Sequence, residues 1–140
     1  MQIINRKARF NYFIESELEA GIVLTGTEIK SIRKGGANFN DAYITIKNGE
    51  AYVINMYIAK YEEGNRFNHD ERRTRKLLLH KNELKRLSNE LRNTGITLVP
   101  LKLYFKGNYA KVTVGIARGK KLYDKRETIK QRDLEREARR

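Results

Sequence analysis

Two stretches of the chain alternate apolar and polar residues with a period of two on either side of a turn pair, so their registers can be written down directly. Around Asn48-Gly49, a type I′ turn signal, a two-residue loop sets Lys47 opposite Glu50, Ile46 opposite Ala51, Thr45 opposite Tyr52 and Ile44 opposite Val53. Around Gly107-Asn108 the same construction pairs Lys106 with Tyr109, Phe105 with Ala110, Tyr104 with Lys111, Leu103 with Val112 and Lys102 with Thr113. In both hairpins one face is apolar, as a half-buried antiparallel sheet requires. Pro100 has no N–H for a ladder and belongs at an edge or a bulge.

Elsewhere the pattern changes period. Ala8–Ile14 and Gly21–Leu24 read as extended segments. Thr25-Gly26-Thr27-Glu28 is a capping-box pattern that opens a short helix, with Ile29 and Ile32 on one face and Gly35-Gly36 ending it. Asn82 to Asn93 predicts a second helix, on the stripe Leu84, Leu87 and Leu91, closed by Gly95. Repeated strands with few helices predict an α+β, mainly β fold: an antiparallel barrel with attached helices, spanning residues 1–117.

From residue 118 onward the patterning stops. Residues 118–140 hold 10 basic and 5 acidic residues, and the apolar ones are too scattered for a stripe. Pairs such as Glu135–Arg139 favour a helix by only about 0.2–0.5 kcal/mol each. That does not offset the cost of nucleation, so the basic tail is expected to be disordered in the free protein and to become helical against a partner.

Charge narrows the partners. The 140 residues carry 30 Lys+Arg against 17 Asp+Glu, a formal +13. Such a surplus favours polyanions through counterion release. No apolar run reaches membrane-spanning length, the N-terminus lacks the apolar core of a signal peptide, and a cytoplasmic monomer is expected. With no Cys there is neither a disulfide nor a thiolate metal site. The polar face of the second hairpin presents Lys102, Tyr104, Lys106, Tyr109 and Lys111, cations for phosphate interleaved with rings for unpaired bases. Arg72, Arg73, Arg75 and Lys76 form a second basic cluster, read as a loop of phosphate-contacting cations. His69, Asp70, Glu71 and His80 lack metal-ligand spacing, and no nucleophile–base set is assignable, so neither a metal, a cofactor nor an enzyme activity is expected. Arg118-Gly119-Lys120-Lys121 reads as a flexible, cationic junction, with Tyr123 an aromatic stranded among charges.

These segments together resemble a known family. Asn5-Arg6-Lys7-Ala8-Arg9, Tyr12-Phe13-Ile14, Glu19-Ala20-Gly21 and Gly26-Thr27-Glu28-Ile29-Lys30-Ser31-Ile32-Arg33 are similar to the SsrA-binding (SmpB) family, partners of transfer-messenger RNA. So are Arg75-Lys76-Leu77-Leu78-Leu79-His80, Gly115-Ile116-Ala117-Arg118-Gly119-Lys120-Lys121 and Asp124-Lys125-Arg126. The resemblance implies an oligonucleotide-binding (OB)-like barrel that binds the tRNA-like domain of transfer-messenger RNA. It also implies delivery, with elongation factor Tu, to stalled ribosomes for trans-translation. It places Glu19, Leu78, His80 and Lys111 at the RNA surface, and assigns Gly119, Lys120, Lys121, Tyr123, Asp124, Lys125 and Arg126 to a tail that enters the decoding centre and the empty mRNA path. Tyr123 stands where many relatives carry His, and His80 where relatives often carry Asn; many relatives also continue beyond the position of Arg140. The alternative from composition alone is a ribosomal or assembly protein that binds structured RNA.

Overall fold

Both hairpins form with the registers written above. Asn48 and Gly49 take φ of 54° and 75°, the type I′ requirement, whereas in the second turn only Gly107 has positive φ (62°), the type II′ pattern. The computed structural model describes residues 2–121, 125–127 and 129–132, with backbone alone at 64–66. In chain order its elements are β1 (Gln2–Ile4), α1 (Arg6–Asn11), β2 (Tyr12–Ile22), α2 (Gly26–Arg33), β3 (Ala37–Asn38), β4 (Tyr43–Lys47) and β5 (Glu50–Ile54). After these come β6 (Tyr57–Ile58), a 3₁₀ turn (Glu62–Phe67), β7 (Arg75–Leu78), α3 (Lys81–Glu90), β8 (Ile96–Lys106) and β9 (Tyr109–Gly119).

Strands pair antiparallel in the order β8-β4-β5-β7-β2-β9, and β9 pairs again with β8, which closes a six-stranded barrel with β1 added beside β8. Val53, Leu77, Leu98, Leu103, Val112 and Ile116 point inward, and Ile32 of α2 and Leu87 of α3 pack into the same core. Pro100 sits at a bulge: Pro100 pairs with Val114 and Lys102 with Thr113, leaving Leu101 as the extra residue. α3 begins at Lys81, one residue ahead of the expected 82–93 span, and ends earlier, at Glu90, with partly buried Leu91 as its cap.

The capping box of α2 is complete: Glu28 N–H donates to Thr25 Oγ1 (3.3 Å) and Thr25 N–H to Glu28 Oε1 (2.8 Å). Its far end is a Schellman turn, in which the Gly36 N–H reaches Ser31 O and the Gly35 N–H reaches Ile32 O, with Gly35 at φ 81°.

One expected strand is corrected. Ala8 to Asn11 are helical, and the strand starts only at Tyr12. The alternation Ala8, Phe10, Tyr12, Ile14 mimicked a period of two. In the fold the bulged Leu101 joins Ala8, Val99 and Ala117 in a second small core, and Asn5 ties the turn before α1 to Leu101 O and Pro100 O. Strand β2 also ends at Ile22 rather than Leu24. None of the described helices is long and apolar enough to cross a membrane.

Candidate nucleic-acid interface

The outer face of β2, β8 and β9 is divided. At one end α1 covers it through Ala8, Val99, Leu101 and Ala117; the other end, toward the Gly107-Asn108 turn, is open. On that open end the registers place Leu78 (β7), Gly21 (β2), Lys111 (β9) and Tyr104 (β8) in one row across four strands. Gly21 contributes no side chain, and a Cβ there would lie 3.3 Å from Leu78 Cβ. The row therefore dips at Gly21, and the dip is the floor of a cleft of about 720 Å³. Glu19, Leu78, His80 and Lys111 all line this cleft, together with Tyr109. Residues implied by resemblance, scattered from 19 to 111, thus meet at one place.

Each wall has its own chemistry. Leu78 is 55% exposed and Tyr109 74% exposed, an outlay of apolar surface that suits a stacked base. His80 is the N-cap of α3; Glu83 accepts its backbone N–H (3.0 Å), so the imidazole, exposed, stays outside that cap. Tyr104 is committed differently from Tyr109. Its hydroxyl donates to Glu19 and Lys102 Nζ sits over its ring at 5.3 Å. The Tyr104 hydrogen bond, with Lys106 (3.6 Å) and Lys111 nearby, holds the Glu19 carboxyl below its usual range against the opposing effect of desolvation. Glu19 is thereby a fixed, ionised acceptor amid cations, able to take an amino or imino donor from a base edge or a hydroxyl from ribose. Tyr104, expected as a stacking ring, thus has its hydroxyl committed to Glu19.

Of the second basic cluster, the structure takes Arg75 out of the possible phosphate contacts. Arg75 is fully buried: Nε donates to Glu28 Oε2 (2.5 Å) and Nη1 to Met56 O (2.6 Å). Its Nη2 reaches Asp70 O and Glu71 O. Arg75 is therefore removed from the RNA-facing residues; β7 alternates, and Arg75 falls on its inward side with Leu77. Arg73 donates to Glu28 Oε1 (2.6 Å) and Arg72 to Asn55 O (3.0 Å), so this segment is tied down. Lys76 points outward, half-exposed, 3.6 Å from Glu50. Burial works to raise the Glu28 pKa, but hydrogen bonds from Arg73, the Thr25 N–H and Arg75 outweigh it and the net shift is downward. His69 is also internal: Nε2 donates to Ile58 O (2.9 Å), and in the neutral ring Nδ1 accepts from the Thr27 hydroxyl (2.9 Å).

Sequence reasoning missed three things here. Glu28 was read only as a capping residue; that Arg75 also uses it needed the 47-residue separation to be closed in space. Gly21 was noted in a motif, although an isolated glycine in a strand is itself a signal of close approach. The Tyr104–Glu19 link joins residues 85 apart and left no local trace.

At the other end of this face the chain leaves the barrel. β9 continues through Arg118 and Gly119, two residues past the expected boundary at 117, and the Lys120 N–H still bonds Asn11 O (2.8 Å). Lys120 Nζ donates to Arg9 O and lies 4.9 Å over the Phe13 ring. Residues 125–127 and 129–132 have helical backbone, and Lys125 and Arg132 stand over the Phe10 ring at 5.9 and 5.6 Å. Arg126 is exposed. The stranded aromatic Tyr123 and the neighbouring Asp124 lie outside the described residues.

Comparison with known proteins agrees with the geometry. The model of the family "SmpB protein" matches residues 2–140. SsrA-binding proteins of Staphylococcus aureus, strains Newman and NCTC 8325 / PS 47, are each 59% identical over 134 residues, covering 96% of this chain and 87% of theirs. A chain in the solved structure "tmRNA-SmpB: a journey to the center of the bacterial ribosome" is 52% identical, covers 86% of this chain and 85% of its own, and superimposes with a TM-score of 0.73. A barrel that gathers Glu19, Leu78, His80 and Lys111 into one cleft, in a chain with these relatives along nearly its whole length, belongs to the SmpB protein family.

Proposed function

We propose that this protein binds the tRNA-like domain of transfer-messenger RNA and carries it, with elongation factor Tu, to stalled ribosomes for trans-translation in the cytoplasm, without itself being an enzyme. The observation that carries the reading is the single cleft in which an ionised acceptor, an exposed leucine, an exposed tyrosine and a lysine converge on a glycine floor. That set suits an unstacked base and its phosphate rather than a regular duplex. The names of the relatives, SsrA-binding proteins and a tmRNA–SmpB assembly on the ribosome, support the partner.

The division of labour follows the surfaces. The barrel recognises RNA, with Glu19, Leu78, His80, Lys111 and Tyr109 in the cleft and Lys102 and Lys106 beside it. The tail acts in the decoding centre and the empty mRNA path through Gly119, Lys120, Lys121, Tyr123, Asp124, Lys125 and Arg126. Against Phe10 the described residues of the tail helix make cation–π contacts of about 0.5–1 kcal/mol each. A helix held so weakly exchanges readily for a ribosomal partner, and is largely unfolded between partners. Competition binding tests the partner: the tRNA-like domain should displace labelled complex at far lower concentration than ribosomal RNA fragments or an elongator tRNA. Equal competition would favour a general ribosomal assembly protein instead. A chain cut after Lys121, which spares the β9 ladder and the Lys120–Asn11 bond, should bind the tRNA-like domain as the full chain does yet fail to tag stalled peptides.

A further inference from the structure

The outer face of the barrel carries a second cleft that the reading above does not use. It lies between α1, β1 and the rows of β2, β8 and β9 just beyond the first cleft, encloses about 650 Å³, and is walled by Arg6, Arg9, Lys102, Glu17, Thr113 and Arg132 among others. Four cations face one carboxylate, and that carboxylate, Glu17, is already satisfied by Arg9 at 2.8 Å. Among the described residues Arg6 has no ion pair. Arg6, Arg9 and Lys102 are all exposed, so a ligand can reach them, Arg9 while it still holds Glu17.

Registers fix the relation between the two clefts. Gly21 pairs with Lys111 in the first; Glu19 pairs with Thr113, which pairs with Lys102; Glu17 pairs with Gly115 in the second. From Lys111 to Gly115 is four residues, about 13 Å along one strand. Lys102 stands between them, stacked over the Tyr104 ring whose hydroxyl holds Glu19. The clefts are therefore consecutive stations on one face, the first built of acceptor, aromatic and aliphatic groups around the single cation Lys111, the second mainly of guanidinium and ammonium groups. Guanidinium groups match phosphate oxygens in geometry as well as in charge.

We propose that this second cleft is a binding site for RNA phosphodiester backbone, with Arg6, Arg9 and Lys102 as its phosphate ligands, lying beyond the base-recognising cleft and ending where the tail departs. The proposal rests on the RNA-binding reading of the same face. The backbone it takes belongs either to transfer-messenger RNA or to ribosomal RNA, since Lys120 ties the start of the tail to α1 through Asn11 and Arg9, at the edge of the same cleft.

The test is the salt dependence of binding of the full chain and of an Arg6→Gln/Arg9→Gln variant, measured by fluorescence anisotropy on the tRNA-like domain and, separately, on small ribosomal subunits. Each lost phosphate contact lowers the slope of log K against log[salt] by about 0.7–0.9, so the double variant should lose about 1.5. A loss on the tRNA-like domain assigns the backbone to transfer-messenger RNA, and a loss confined to the ribosomal subunit assigns it to ribosomal RNA. Unchanged slopes on both overturn the proposal. If the double variant fails to give the native circular-dichroism melt, Arg6→Gln alone carries the test with about half the effect. Failure of the wider reading looks different: the unaltered chain would then show no preference for the tRNA-like domain over other RNAs.

Discussion

Replacing Arg75 by Ala separates the two roles its sequence context allowed. If Arg75 were a surface phosphate contact, the variant would fold normally and bind RNA less well. In the structure it is fully buried, with hydrogen bonds to Glu28, Met56 O, Asp70 O and Glu71 O. Removing one member of a buried ion pair costs about 3–5 kcal/mol, because the remaining charge is left in a poor solvent. Glu28 keeps Arg73 at 2.6 Å and the Thr25 N–H at 2.8 Å, and Arg73 is partly exposed, so the loss should fall at the lower end, about 3 kcal/mol. Urea slopes for small domains are about 1–3 kcal/mol per M, which places the midpoint about 1–3 M lower. Urea unfolding followed by far-ultraviolet circular dichroism reads this directly, and RNA affinity measured well below the new midpoint should match the unaltered chain. Lys76→Ala, its outward neighbour paired only at 3.6 Å across half-exposed side chains, should shift stability by less than about 1 kcal/mol. A midpoint for Arg75→Ala within about 0.3 M of the unaltered chain, together with weakened RNA binding, would refute the buried assignment.

Other consequences follow from the same contacts. The Glu28 pKa is held below its ordinary 4.5, so its contribution to stability is present above that value and is lost as pH falls through the lower folded value; urea midpoints measured from about pH 5 downward should fall less steeply in Glu28→Gln. Gly21→Ala puts a methyl group 3.3 Å from Leu78 Cβ on the cleft floor and should weaken binding of the tRNA-like domain about tenfold at nearly constant melting temperature; unchanged affinity would remove the floor from the interface. Lys111→Ala should reduce the salt slope by about 0.7–0.9, and a slope left intact would strike Lys111 from the phosphate contacts. The double replacement Glu28→Leu/Arg75→Met should recover much of the stability lost in Arg75→Ala, and a melt no better than the single variant would contradict this.

How much of this was legible depended on how far apart the cooperating residues lie. Both hairpins were readable to the residue because their registers depend on a two-residue turn and local alternation. The α2 capping box was readable for the same reason, being set within three residues, while Pro100 could be narrowed only to an edge or a bulge and the fold makes it a bulge. Ala8–Asn11 misled because a period of two over four residues does not distinguish a strand from a helix whose buried contact is a single alanine. Within the Arg72–Lys76 cluster Arg75 misled, because charge density is a property of the sequence and exposure a property of the fold. Of the cleft, Lys111 and Tyr109 could be reached from the polar face of a hairpin, whereas Glu19 and Leu78 came only from family resemblance. Their roles depend on Gly21 and on Tyr104, which approach them from other strands.

The buried ion pair also bears on why the cleft has the composition it has. β7 feeds into Leu77-Leu78-Leu79, a run in which any leucine can serve the core and a one-residue slip has little apolar cost. Side chains alternate, so a slip would turn Leu78 inward and Leu77 outward. Arg75 stands two residues before Leu77 on the inward side, and its guanidinium has a satisfied place only where Glu28, Met56 O, Asp70 O and Glu71 O converge. A slipped strand would put Arg75 on the surface and turn Lys76 inward, where one ammonium cannot meet Glu28 and the three carbonyls together, so Glu28, fully buried at the head of α2, would lose part of its compensation. The penalty for that charge is several kcal/mol, larger than any difference between one leucine and the next. A polar pair that adds little net stability over apolar packing thus selects a register, and the selected register sets Leu78 beside Gly21, outward, at the edge of the cleft proposed to take RNA.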